Sequence, residues 1–134
     1  MTAISESTSI LCDDIRTETG NKVSLMGVYG REIRVAGTEA VLPRLNLYKR
    51  LSATNPLQCS ALLDLIGPDE KSVLPHTPPR LDDIKLSGEV NLGLGVGPLR
   101  LKDAGEYNMR LTLESPGIPD LVLNHHFVLT LNHK

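Results

Sequence analysis

Seven consecutive residues, Cys12-Asp13-Asp14-Ile15-Arg16-Thr17-Glu18, bring together a thiol, three carboxylates and a guanidinium. Two adjacent carboxylates can work as a general acid and base, and clustered carboxylates can hold a hard cation through oxygen ligands. The same groups can also form the charged end of a β-strand, paired with one another. Backbone geometry decides among these. Gly20-Asn21 offers a two-residue turn between twisted strands, so the run LCDDIRTETGNKVSLMGVYG reads as a hairpin. With Thr19 opposite Lys22, Arg16 pairs with Leu25, Ile15 with Met26, Asp14 with Gly27, Asp13 with Val28 and Cys12 with Tyr29. Successive strand residues point to opposite faces, so Asp13 and Asp14 diverge and are expected to be structural rather than catalytic. Asp14 faces the empty space at Gly27 and shares a side with Arg16, which makes an ion pair natural. Asp13 falls on the more apolar face, where a carboxylate must be paired, or the strand must bulge or end.

Other reactive side chains are scattered. If Phe127, Leu129 and Leu131 face a core, His125 and His133 share their side while His126 points outward, so no two histidines adjoin as metal ligands. The oxygen-rich alternative is a metal-ion site of the Ca²⁺ type, or a small-anion site, formed by Asp13, Asp14, Glu18, Asp82 and Asp83 on neighbouring loops. Cys12 and Cys59 could bridge two sheets, but with no export signal two free, mostly buried thiols are expected. Gly93-x-Gly95-x-Gly97 has neither the spacing nor the following helix of a dinucleotide-binding loop, and Pro98 comes next. Alternating glycines on a strand mark a bend, a bulge or a close approach of another backbone, and a side-chain-poor edge there could receive a partner strand. No nucleophile motif or catalytic grouping is visible, so neither an enzyme nor a cofactor is expected.

The elements that must position these residues follow from a period of two. Tyr107, Met109, Leu111 and Leu113 alternate with Asn108, Arg110, Thr112 and Glu114, the pattern of a half-buried strand. Similar alternation runs through Leu45 and Leu47; Cys59 to Leu65; Leu86 to Leu94; and Leu121 to Leu131. Turn residues separate these runs at Gly20-Asn21, Thr54-Asn55-Pro56, Gly67-Pro68-Asp69, Pro75 to Pro79, Asp103-Ala104-Gly105 and Ser115-Pro116-Gly117. A competing reading is helical, since Ile4, Leu11 and Ile15 fall at helical offsets and Ser9 could cap a short helix containing Asp13. About seven strands with Gly and Pro turns point to a single antiparallel β-sandwich over residues 1–134, immunoglobulin-like in outline, with Leu74 to Arg80 crossing between sheets. Asp103 to Met109 has the D-x-G-x-Y-x-Φ form that opens one strand of such domains, where the Tyr107 hydroxyl bonds back to the turn; Tyr107 as an ordinary half-buried aromatic is the alternative.

Bulk composition narrows the partners. Fourteen basic and 16 acidic residues give a net charge of -2 with the signs interspersed, so there is no basic stripe for nucleic acid. Three Tyr, one Phe and no Trp leave little with which to stack bases. No apolar run approaches the ~20 residues of a membrane span, and residues 1–9 lack a signal-peptide pattern, so a cytoplasmic protein is expected.

The stretch ILCDDIR followed by GNKVSLMGVYG resembles the opening of an uncharacterised family of small bacterial proteins, and the Gly105-Glu106-Tyr107 turn fits the same pattern. The resemblance implies a small β-sandwich and carries over no catalytic or binding residue. The expected role is a non-enzymatic protein-interaction or structural module. Its surfaces would be the strand at Gly93, Gly95 and Gly97 and the loops near Asp13, Asp14 and Arg16, and its partner an unidentified protein or a second copy of itself.

Overall fold

The computed structural model describes residues 3–20 and 22–132. Among them there is no helix, and the strands are β1 (Ile4–Glu18), β2 (Lys22–Tyr29), β3 (Glu32–Ala36), β4 (Ala40–Leu42), β5 (Leu45–Ile66), β6 (Arg80–Val96), β7 (Leu99–Leu101), β8 (Gly105–Ser115) and β9 (Ile118–Asn132). The N-terminal segment is therefore a strand. The helical offsets of Ile4, Leu11 and Ile15 are overridden by ladder pairing on both edges, to β2 and to β5.

A seven-stranded sheet runs in the order β2-β1-β5-β8-β9-β3, with β6 also paired to β5; β4 and β7 form a separate two-stranded sheet. The 22-residue β5 organises the whole. Its one edge pairs with β6 from Leu45 to Leu62, while the other pairs first with β1 (Asn46–Ala53) and then with β8 (Ser60–Ile66). The sheet is mixed, because β3 runs parallel to β9 where an all-antiparallel arrangement was expected. Glu32 to Ala36, Ala40 to Leu42 and Leu99 to Leu101 are too short for periodicity to single them out.

Two expected breaks fall elsewhere. Thr54-Asn55-Pro56 lies inside β5, where the register to β6 shifts between Ala53 and Leu57. The register shift at this point takes in a proline, which lacks an N–H, without ending the strand. The proline-rich segment ending at Arg80 does not cross between sheets; it joins β5 to β6, which pair directly at Leu62 and Arg80.

The first hairpin differs by one residue from its expected register. Glu18 pairs with Lys22, so the connection has three residues, and Gly20 within it sits at φ 84°, a left-handed value that favours glycine; Asn21 lies outside the described residues. Asp14 therefore pairs with Met26 and Cys12 with Val28. A one-residue change is decisive here, since it brings Asp13, not Asp14, to Gly27.

The core follows the alternation. Tyr107, Met109, Leu111 and Leu113 are buried together with Leu63, Leu65, Leu11 and Phe127, and each such side chain contributes about 1.5–3 kcal/mol by leaving water. Tyr107 stacks on Phe127 with ring centroids 5.4 Å apart, and its hydroxyl donates to the Asp103 carbonyl at 2.6 Å. Cys12 and Cys59 are buried free thiols, each pushed up in pKa chiefly by that burial.

Candidate functional site

The Asp13 carboxylate rests over Gly27, where a Cβ would stand 2.2 Å from Oδ2. The Tyr29 hydroxyl donates to Asp13 Oδ1 at 2.5 Å. Burial, followed by this bond to a carboxylate, pushes the Tyr29 phenol up to about 12. The β1–β5 ladder ends at Cys12 and Asn46, and the Asn46 amide then donates to the Asp13 carbonyl at 2.7 Å in place of a backbone partner. Both ends of Asp13 thus hold neighbouring strands. Asp14 makes an ion pair with Arg16 Nε at 3.1 Å, both side chains more than half exposed, an arrangement that contributes at most ~1 kcal/mol.

The remaining carboxylates considered as ligands are spread along the sheet. Glu18 accepts from the Ser24 hydroxyl. Asp82 accepts from Arg80 Nε at 2.8 Å and from the Ser60 hydroxyl at 2.9 Å, and these bonds hold its pKa down. Asp83 accepts from Gln58 at 3.4 Å. Asp82 and Asp83 flank the far half of β5, near Cys59, whereas Asp13 adjoins Asn46 at its start. Among the described residues no three His, Cys, Asp or Glu side chains are disposed to hold a metal ion.

Gly93 and Gly95 of β6, and Gly97 just beyond its end, are covered by the chain itself, whereas Gly88 is open. A Cβ on Gly93 would stand 2.9 Å from Ile15 Cδ1, and one on Gly97 2.3 Å from the Pro43 carbonyl oxygen. Gly95 makes room for the Asn46 amide, to which Arg44 Nε donates at 3.0 Å. Beside them lies a polar groove of about 320 Å³ lined by Asp14, Arg44, Asn46, Tyr48 and Asn91. Several of its hydrogen-bonding groups are already engaged: Tyr48 donates to Asn91 at 2.6 Å, as does the nearby Arg50 at 3.2 Å, and Asp14 is paired with Arg16. On the opposite strands His126 faces outward, 3.6 Å from Glu106, in an open groove with Arg110. His133 lies outside the described residues.

The most unusual electrostatic feature was not singled out by sequence. Lys49 is fully buried, on the same side of β5 as Leu45, Leu47 and Leu51. Its ammonium is paired with Glu6 and donates to Ser9 Oγ at 2.8 Å. Ser9 Oγ in turn lies 2.6 Å from His125 Nδ1. Ser9 Oγ accepts from Lys49 and still carries its own hydrogen, so with Nδ1 unprotonated a neutral His125 imidazole accepts that hydrogen, the tautomer setting the direction of the bond. Burial first, and then the Lys49 charge, pull the His125 pKa down. The one signal available in the sequence was a lysine at an apolar position of a period-two run.

No family model matches the chain, and no curated protein is similar to it. Among solved structures it is similar to part of a β-glucosidase from Erythrobacter marinus, at 12% identity and a TM-score of 0.49, covering 96% of this chain and 16% of that one. It is also similar to part of a family 123 glycoside hydrolase from Clostridium perfringens, at 11% identity and a TM-score of 0.42, covering 98% of this chain and 28% of that one. The chain spans less than a third of the length of either protein, and these likenesses assign it no activity.

Proposed function

We propose that this protein is a non-enzymatic interaction module, a β-sandwich of immunoglobulin-like outline acting in the cytoplasm, which docks an extended protein segment on the free edge of β6. The observation that carries this is the pairing of β6: it has 17 residues, all its strand partners lie on β5, and among the described residues no strand covers its other edge. Unpaired edges invite strand addition unless charges or bulges guard them. The first half of β6 is guarded in this way, by Asp82, Asp83, Lys85 and Glu89 and by the positive φ of Asp83 and Gly88. From Val90 to Val96 there is no charged residue. Close packing under Gly93 and Gly95 stiffens this stretch, so an incoming strand meets an ordered template.

Affinity capture from the native cell, followed by hydrogen exchange on the complex, tests the proposal. Added protection at the amides of Val90 to Val96 is expected. A complex that protects other strands and leaves these amides unchanged would place the interaction elsewhere. Capture of nothing by a folded, monomeric protein would remove the basis for an interaction role.

A further inference from the structure

The Glu6–Lys49–Ser9–His125 chain joins three strands, and one of its bonds has no backbone counterpart. Among the described residues β1 pairs only with β2 and β5, and β9 only with β8 and β3, yet Ser9 Oγ and His125 Nδ1 meet at 2.6 Å between them. This bond ties the first strand of the chain to the last across 116 residues. The segment it restrains includes the irregular part of the β1 ladder, where the register to β5 shifts between Glu6 and Thr8.

We propose that His125 is an acid-sensitive latch: neutral, it accepts the Ser9 hydroxyl and holds the start of β1 against β9; protonated at Nδ1, it lets that segment go. The chemistry follows from donor counting. Lys49 already donates to Ser9 Oγ, so a protonated His125 would present a second cationic donor to the same oxygen and leave the Ser9 hydrogen without its acceptor. The charged surroundings of His125 are Lys49 from β5, Glu6 from β1 and His126 on its own strand. Glu6 is already engaged by Lys49. From β8 come the cross-strand neighbour Met109, which does not titrate, and the Asn108 side chain, which accepts from the His125 backbone N–H at 3.1 Å. A positive charge on the half-buried His125, next to the buried Lys49 ammonium, has to share the Glu6 carboxylate with it, and opening of the β1 segment relieves the repulsion. Such opening would uncover the β5 edge at Leu51 and Ala53, which pair with Glu6 and Ile4. This latch is independent of what docks on β6.

The test is hydrogen exchange of wild type and His125→Asn at about pH 7.5 and about pH 4.5, the lower value set for a histidine held below its ordinary range while staying above the ordinary carboxylate range. Results are compared as protection factors, which remove the intrinsic pH dependence of exchange. The amides from Ile4 to Ser9 of the wild type are expected to lose protection several-fold at the lower pH. His125→Asn keeps an acceptor near the Nδ1 position but cannot titrate, and should show no such loss; His126→Gln should behave as wild type. An equal loss in His125→Asn, or none in wild type, would overturn the proposal. Should His125→Asn fail to fold, an NMR titration of the wild type decides. The Ser9 amide shift should move with the His125 imidazole, and a His125 titration with no change along β1 would sink the idea.

Discussion

Asp13 occupies the space that a side chain at position 27 would fill: a Cβ on Gly27 would lie 2.2 Å from Asp13 Oδ2. Gly27 also sits at φ 66°, a left-handed conformation that costs other residues about 1 kcal/mol or more. Gly27→Ala should therefore destabilise the protein by roughly 2–4 kcal/mol, the sum of that strain and displacement of the Asp13–Tyr29 pair. Gly20→Ala is the control, since Gly20 has positive φ with nothing within 4 Å of the added methyl. Urea denaturation of both variants checks this, and equal losses would show that the close contact contributes nothing.

The Asp13–Tyr29 bond makes an alkaline prediction. The folded Tyr29 phenol is raised from 10.0 to about 12, so its contribution to stability is complete below pH 10 and is lost as pH rises through about 12. In Asp13→Asn the acceptor loses its charge, and an ultraviolet titration should find Tyr29 ionising at lower pH than in wild type. Asp14→Asn, which breaks only an exposed pair, should leave that titration unchanged and alter stability by less than ~1 kcal/mol.

Lys49 should respond to its partner. Lys49→Ala leaves a cavity in the core and a carboxylate without its cation, and is expected to cost about 3–5 kcal/mol. The double variant Glu6→Gln/Lys49→Met replaces the ion pair by an apolar chain of similar length and a neutral amide, and should recover most of that loss. Thermal melts of the two, compared with each single variant in a double-mutant cycle, measure the coupling. No recovery in the double variant would show that the buried charge itself is required.

Tyr107→Phe keeps the stack on Phe127 and removes only the bond to the Asp103 carbonyl. A loss of about 0.5–1.5 kcal/mol in chemical denaturation is expected, without change in the denaturant slope.

Much of the strand content was legible, because a residue's side of a sheet depends only on its parity along the strand. Alternation through Tyr107, Met109, Leu111 and Leu113 marks β8, and the same parity sets His125 on the side of Phe127 and Leu129. Breaks were less legible. Thr54-Asn55-Pro56 has the composition of a turn, yet β5 continues through it because β6 and then β8 supply partners on either side of the bulge.

What the sequence determined by itself was local: strand periodicity, the divergence of Asp13 from Asp14, and the need for Asp13 to find a partner. The tertiary structure alone decided who those partners are. One extra residue in the first turn moved Asp13 over Gly27, and a ladder ending at Asn46 supplied the amide for its carbonyl. Glu6, Ser9, Lys49 and His125 carry no motif, since hydrogen bonds among them link positions up to 116 residues apart. Only the folding of β1, β5 and β9 together brings them within bonding distance, around Lys49, the one of the four that is fully buried.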